Sequence, residues 1–267
     1  MALKPVPATN FKDLANAAFD AILARPNDLD LSRLRRQARD LANADKGESL
    51  QVCAILEAAV GKYAEADALF ERAIASSENK LDTLGLHLAV LDATDQGFKI
   101  KSLFDANYPN LRNNPSMLKR AQNVLSASGW ITSARELDED LNRLGHPTQT
   151  PLTSFFESLR WKDFNESQVA EPVVFARQYL RDRGSAALVV GVEEIPESDF
   201  SMSLLYSLEC PNSVESASDL EWDLYMAMAE KSFDGLANGL LSIIVVGEAK
   251  VVTNGKIVFG EEAPDAH

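Results

Sequence analysis

Cysteine and histidine are scarce in this chain of 267 residues, which contains two cysteines and three histidines. Cys53 and Cys210 lie far apart, which argues against a disulfide framework and favours a reducing compartment. No two of His87, His146 and His267 have the spacing of metal ligands, and neither cysteine has another close by. We therefore expect no zinc site.

Motifs of nucleophilic catalysis and nucleotide binding are also missing. The sequence has no G-x-S-x-G elbow, no G-x-x-x-x-G-K-[ST] loop and no G-x-G-x-x-G after a predicted strand. These absences predict that the chain is not an enzyme and that it binds no small-molecule cofactor. An enzyme that assembles its acids from scattered carboxylates remains an alternative.

Long apolar runs are absent. The longest candidate, residues 240–246, is far shorter than the roughly 18 residues of a membrane span. The first residues, MALKPVPATNFKD, lack an apolar core and a cleavage site of the kind that signal peptides have. We expect a cytoplasmic protein that does not contact a membrane.

Negative charge is abundant and unevenly distributed. The formal net charge is −14, with 46% hydrophobic and 25% charged residues, as in a folded globular protein. Residues 1–150 hold 20 acidic and 18 basic residues, whereas residues 151–267 hold 20 and 8. Between positions 193 and 234, eleven acidic residues face Lys231 alone. Such a stretch repels phosphate, so it excludes direct nucleic-acid binding through the second half and favours a basic protein partner.

A helical repeat pattern occupies the first half. A small-residue turn at Gly61 is followed by A-x-x-x-F-x-x-A at Ala66, Phe70 and Ala73. The leucines at 69, 103 and 137 are spaced by 34 residues, which is the tetratricopeptide period. The region of about 47–145 resembles tetratricopeptide repeats, although Leu50 replaces the usual tryptophan.

The resemblance implies stacked helix pairs, because each pair has an apolar face that it cannot bury alone. A fainter helix pair is predicted at about 10–24 and 31–44. In the middle copy the turn is predicted at Gly97-Phe98, two residues late. An irregular helical bundle is the alternative, and either interpretation makes the first half all helix.

The pattern changes after the turn-rich segment 145–151. Strands are predicted at 186–192, 202–208 and 240–246, with a hairpin around Asn254-Gly255. Helices are predicted at 155–164, from Glu171-Pro172 and from Ser218 to Phe233. The fold class is therefore α+β in two domains, namely a helical domain at 1–145 and an antiparallel sheet with helices on one face at 152–260. Residues 261–267 are predicted to be a disordered tail.

Acidic side chains are the candidate partner-binding residues. A capping box at Ser218 and Glu221 predicts the start of a strong helix whose acids form a stripe, with two apolar rows beside it. A second group of acids falls on a predicted solvated turn after the first strand. A divalent-cation site or an acid/base pair is less favoured there, because the EF-hand spacing is absent. The predicted partner-binding residues are Glu193, Glu194, Glu197, Asp199, Asp219, Asp223, Glu230 and Asp234.

These patterns favour a non-enzymatic protein-binding factor. The preferred hypothesis is that it neutralises a basic protein partner, as acidic immunity proteins and antitoxins do for cationic toxins. The alternative is an adaptor or chaperone of tetratricopeptide type, in which the helical groove holds a peptide or protein client.

Overall fold

The fold is known from a computed structural model, which describes residues 11–24, 27–147, 165–185, 188–198, 201–210, 213–239, 241–247, 251–252 and 256–257. The chain forms two compact units. One consists of Met1–Val124 with Arg143–His146, and the other of Leu125–Asn142 with Pro147–His267. Residues 125–142 are expected from the sequence to be part of the helical domain, but in the structure they belong to the second unit. The predicted split into domains at 145–152 remains a prediction.

Helices predominate and pack in sequence order, as in a helical repeat array. Most are 13 to 16 residues long. Their bounds are α1 Phe11–Ala24, α2 Asp28–Leu41, α3 Lys46–Ala59, α4 Tyr63–Ser76, α5 Lys80–Ala93, α6 Gly97–Leu111, α7 Pro115–Ala127, α8 Ile131–Arg143, α9 Ser167–Asp182, α10 Val214–Lys231 and α11 Asp234–Ala237.

Side-chain caps fix the starts of several helices in the first unit. Asn27, Asp45 and Asn79 each accept a hydrogen bond from the backbone N–H three residues later, at the start of α2, α3 and α5. Most residues of helices α3 and α5 are buried, which is expected of helices with neighbours on several sides. They place fully buried residues such as Ile55 and Leu88 inside the unit.

The 34-residue period is visible in the packing, though not at every predicted position. Ala66, Ile100 and Ala134 are all buried at this spacing. Leu137 is buried, but Leu69 and Leu103 are only half-buried. The period is therefore carried more consistently by the buried positions 66, 100 and 134 than by the predicted leucines.

The turn of the middle helix pair differs from the prediction. Gly61, Asp95 and Gly129 have φ values of 78°, 58° and 82°, so a left-handed residue recurs every 34 positions. Gly97, predicted to make the turn, is instead the first residue of α6. The turn therefore comes in register, and an aspartate occupies the position that glycine holds elsewhere.

The second unit contains a three-stranded sheet in the order β1-β2-β3, with β1 at Leu188–Ser198, β2 at Ser201–Glu209 and β3 at Leu241–Val246. β1 and β2 are antiparallel, but β2 and β3 are parallel. The expected antiparallel sheet is therefore wrong for β3. The physical reason is the long connection through α10, which brings the chain back to the same end of the sheet before β3 begins.

One face of the sheet is buried against helices. Alternate residues of β2 and β3, such as Leu204, Tyr206, Ile243 and Val245, are buried, and they share a core with residues of α9 and α10. Tyr206 donates a hydrogen bond from Oη to the carbonyl of Ser126 at 2.8 Å. The end of α7 is thus tied to the sheet.

Helix α8 joins the same unit. Glu166 accepts a hydrogen bond from the backbone N–H of Ser133 at 2.8 Å, which satisfies a donor in the first turn of α8. Gly129, just before α8, lies so close to α9 that an added Cβ would be 2.7 Å from Cα of Ala170. Ile131 is fully buried in the core shared with the sheet.

The remaining predictions can be compared with the structure only in part, because some of their residues lie outside the described ranges. Two short strands, β4 at Val251–Val252 and β5 at Lys256–Ile257, pair antiparallel as expected for the hairpin. The turn residues Asn254-Gly255, the helix predicted at 155–164 and the predicted tail at 261–267 lie outside the described residues. Among the described residues, no helix is both long enough and apolar enough to cross a membrane.

Candidate functional site: the outer face of helix α10

Helix α10 carries three of the predicted partner-binding acids. It begins at Val214, where Ser213 accepts a hydrogen bond from the N–H of Ser216, rather than at the predicted cap Ser218. It ends at Lys231 and is followed by Ser232, which adopts a left-handed conformation with φ of 56°. The extra turn at its start adds Glu215 to the acidic residues of the helix.

Contacts with α9 and the sheet fix the orientation of α10. Leu224 and Met228 are buried, as predicted for the first apolar row. Tyr179 of α9 donates a hydrogen bond from Oη to the carbonyl of Asp223 at 3.1 Å. At the far end, the rings of Phe175 and Phe233 lie 5.3 Å apart. One side of the helix is thus held, and the opposite side faces outward.

The second predicted apolar row consists of Trp222, Tyr225, Ala229 and Phe233, and only Phe233 packs against the core. Trp222 is 67% exposed, and Met226, which belongs to neither predicted row, is 54% exposed. At 100° per residue, these two side chains fall among acidic residues on an arc of about 100°. We call this surface the acidic–aromatic face, and it consists of Glu215, Asp219, Trp222, Asp223, Met226 and Glu230.

The carboxylates of this face have no cationic partner among the described residues. The ion pairs seen there, such as Arg35–Glu57 and Lys99–Asp67, involve other carboxylates. Asp219 and Asp223 are four residues apart, and like charges at this spacing cost a few tenths of a kcal/mol. The face is therefore negatively charged, solvated and internally repulsive.

Other predicted acids lie elsewhere. Glu193, Glu194 and Glu197 belong to β1, which runs on to Ser198, so the turn predicted for them is wrong. Asp199 lies outside the described residues. The structure therefore brings together Asp219, Asp223 and Glu230 and does not show the acids of β1 joining them.

Asp234 is exposed at the start of α11. It borders a recess of about 260 Å³ whose lining includes Lys231 of α10 and Glu171 of α9. Gly235, next to it, is required by close packing, because an added Cβ would overlap the carbonyl of Gln168. Asp234 thus lies beside the end of the acidic–aromatic face rather than on it.

The described residues contain no group of three or more His, Cys, Asp or Glu side chains that could hold a metal ion. His87, the one buried histidine there, is engaged in packing between helices. Its Nε2 lies 3.0 Å from Asp67, its ring stacks on Phe70 with centroids 4.4 Å apart, and Lys99 lies 2.7 Å from the same carboxyl group. This arrangement links α4, α5 and α6.

The charge environment of Asp67 follows from these contacts. Partial burial alone would raise the pKa of Asp67, but the hydrogen bonds and charges of His87 and Lys99 outweigh that effect. The pKa of Asp67 is therefore held below its ordinary value of 3.8. The contacts of His87 with Asp67 and Phe70 support a structural role for this histidine.

The exposure of Trp222 and Met226 was missed by reading the sequence. The spacing held a signal, because Asp219 lies three residues before Trp222 and Met226 lies four residues after it. Residues three and four apart share a helix face, so an aromatic residue in an acidic stripe is expected to be exposed.

No protein-family model, curated protein or solved structure matches this chain.

Proposed function

We propose that the chain is a non-enzymatic protein-binding factor that neutralises a basic protein partner through the acidic–aromatic face of α10. The observation that supports this proposal most directly is the exposure of Trp222 and Met226 among carboxylates that have no cationic partner in the described part of the chain. In its most specific form, the proposal is that the chain acts as an immunity protein or antitoxin.

The chemistry of the face complements cationic side chains. Carboxylates at Asp219, Asp223 and Glu230 attract Lys and Arg, and the aliphatic stems of those residues can cover apolar surface. Trp222 offers a ring on which a cation can stack, which is strongest for tryptophan among the aromatic residues. An exposed tryptophan is also the residue type that most often dominates the binding energy of an interface.

Charge would act mainly on the rate and selectivity of binding. A basic partner is drawn toward an acidic surface, and an acidic one is rejected. A factor that must intercept a toxic protein gains from rapid association. The low density of basic residues in the second half, 8 against 20 acidic residues, extends the attraction beyond α10.

The experiment compares two charge-reversed variants in affinity capture from the native host, followed by quantitative mass spectrometry. D219K/D223K/E230K reverses the acidic–aromatic face and should lose the partner. The matched control, E65K/E71K/E78K, makes the same change in net charge with exposed residues of the first unit and should retain it. A basic protein kept by the control and lost by the first variant supports the proposal, and equal retention by both contradicts it.

The tryptophan is tested separately, because charge alone could attract many proteins. Trp222→Ala removes an exposed ring and should leave the melting temperature nearly unchanged. With the partner purified, its dissociation constant should increase by about tenfold or more, as expected for a hot-spot residue. Unchanged affinity would exclude Trp222 from the interface.

The helical repeat pattern supports a second candidate function, that of a tetratricopeptide-type adaptor or chaperone. The supporting observation is the recurrence of the left-handed turn at Gly61 and Asp95 in the first unit and at Gly129 in the second, spaced as in that family. In this case a client would bind the helical groove. Its capture should then survive reversal of α10 and depend on residues of the first unit.

A further inference from the structure

Strand β3 combines an edge position with a sequence suited to self-pairing. Among the described strands it pairs only with β2, so its other side is an edge. Its six residues, LSIIVV, contain no charge, no proline and no glycine, and four of them are β-branched apolar residues. Such segments pair readily with identical copies when their edge is exposed.

Helix α10 covers this edge with two side chains. Tyr225 donates a hydrogen bond from Oη to the carbonyl of Ile243 at 2.7 Å. The backbone N–H of Val245 donates to Oε1 of Glu221 at 3.3 Å. The Tyr225 hydroxyl also lies 3.2 Å from the same carboxyl oxygen, so the two side chains reach the edge together.

The two backbone groups point away from β2. Successive residues of a strand direct their N–H and C=O to opposite sides, and the carbonyl of Val246 accepts a hydrogen bond from Cys210, which follows β2. Ile243 and Val245 therefore present their backbone groups to the outer side. These are the groups that a further strand would bind.

Tyr225 remains a donor over a wide pH range. Partial burial, the charge of Glu221 and the hydrogen bond with Glu221 raise the pKa of Tyr225 to about 12. The phenol is thus protonated under ordinary conditions, and the bond to Ile243 persists.

We propose that Glu221 and Tyr225 are an edge cap that prevents β3 from pairing with β3 of a second copy of this chain. Without the cap, two uncharged β3 edges could pair antiparallel about a two-fold axis, each supplying the groups that the other lacks. The cap lies on the side of α10 that faces β3, so this inference does not depend on the function proposed for the acidic–aromatic face.

The test removes the cap while keeping the packing. E221A/Y225F deletes both edge contacts but retains the aromatic ring. E221Q is the matched control, because its amide oxygen still accepts a hydrogen bond from Val245 and its net charge equals that of the double variant. Sedimentation velocity over a concentration series measures self-association, and circular dichroism checks the fold. We expect the double variant to self-associate about tenfold or more tightly than E221Q.

A third variant identifies the surface that associates. Ser242 is exposed on β3, and lysine on an edge strand opposes pairing between sheets. E221A/Y225F/S242K should return to the association state of E221Q. A folded double variant that associates no more than E221Q, or association that S242K does not reverse, would overturn the proposal. If the double variant does not fold, Y225F alone is compared with wild type under the same criteria.

Discussion

Gly61 and Asp95 stand 34 residues apart, and each takes a left-handed conformation in the turn between two helices. Glycine reaches this conformation without a steric penalty, whereas a residue with a Cβ loses roughly 1 kcal/mol or more. Because Asp95 stands where glycine is expected, the glycine pattern of the sequence alone does not reveal this regular turn. The packing of the first unit is more regular than its sequence.

Substitution of the turn glycines should separate backbone strain from close packing. Gly61→Ala introduces a Cβ that meets nothing within 4 Å, so it should cost only about 1–2 kcal/mol of strain. Gly129→Ala has the same backbone problem and also collides with α9, so it should cost clearly more. Denaturant unfolding measures both. Equal losses would show that α9 does not lie against Gly129.

The register of the helical array predicts a contrast at neighbouring positions of α6. Ile100 is fully buried, so Ile100→Ala should lower the free energy of unfolding by about 2–5 kcal/mol. Leu103 is half-buried, so Leu103→Ala should cost roughly half of that or less. Thermal and urea denaturation provide the comparison. A larger loss at Leu103 would reverse the assigned register.

Asp67 makes the stability of the first unit dependent on acid pH. Its folded-state pKa is below the ordinary value of 3.8, so the carboxylate stabilises the fold above that value and the contribution is lost as pH falls below about 4. Asp67→Asn should cost about 1 kcal/mol at neutral pH, because the site is partly exposed. The difference from wild type should shrink at pH 3. Asp20→Asn, at an exposed site of α1, is the control and should show no such convergence.

Truncation tests where the second unit begins. A fragment of residues 115–267 keeps Ser126, Ile131 and Ser133, which contact the sheet, its core and Glu166 respectively. A fragment of residues 152–267 lacks all three and should unfold at a lower temperature, without a sharp transition. If both fragments melt alike, residues 125–142 are dispensable and the boundary predicted from the sequence is the better one.

Electrostatic steering predicts a salt dependence once the partner is known. The association rate of the wild type should fall as salt shortens the screening length from about 10 Å at 0.1 M to about 3 Å at 1 M. D219K/D223K/E230K should associate slowly at low salt and lose the wild-type dependence. Stopped-flow or surface-plasmon measurements resolve these rates. A reversed variant that binds as quickly as wild type in low and high salt would remove the electrostatic hypothesis.

The helices and strands themselves were predictable, because their apolar periodicity and turn residues are local signals. The buried row at Leu224 and Met228 followed from helical spacing alone. The parallel pairing of β3 did not, since strand direction depends on how the α10 connection packs rather than on the residues of β3. The exposure of Trp222 likewise depends on which neighbours α10 has on each side.

The positions of the acidic residues were likewise predictable from the sequence only in part. Asp219, Asp223 and Glu230 share a face because helix geometry requires it. The acids of β1 were assigned to a turn because Pro196 and the surrounding polar residues resemble one, yet the strand continues past Pro196. Proline is tolerated in an edge strand, where its missing N–H is not needed by a neighbour, and β1 is such an edge among the described strands.

The hydrogen bond from Tyr206 to Ser126 joins residues 80 positions apart, and it bears on the order in which the protein folds. Helices of the first unit contact neighbours close in sequence, which favours rapid folding. The second unit must instead close long loops before the sheet and α7 meet. During synthesis, residues 125–142 emerge well before β2 and β3, so their apolar side chains stay exposed until those strands are made. Folding of the second unit should therefore be slower than that of the first, and it is the unit that a chaperone would assist.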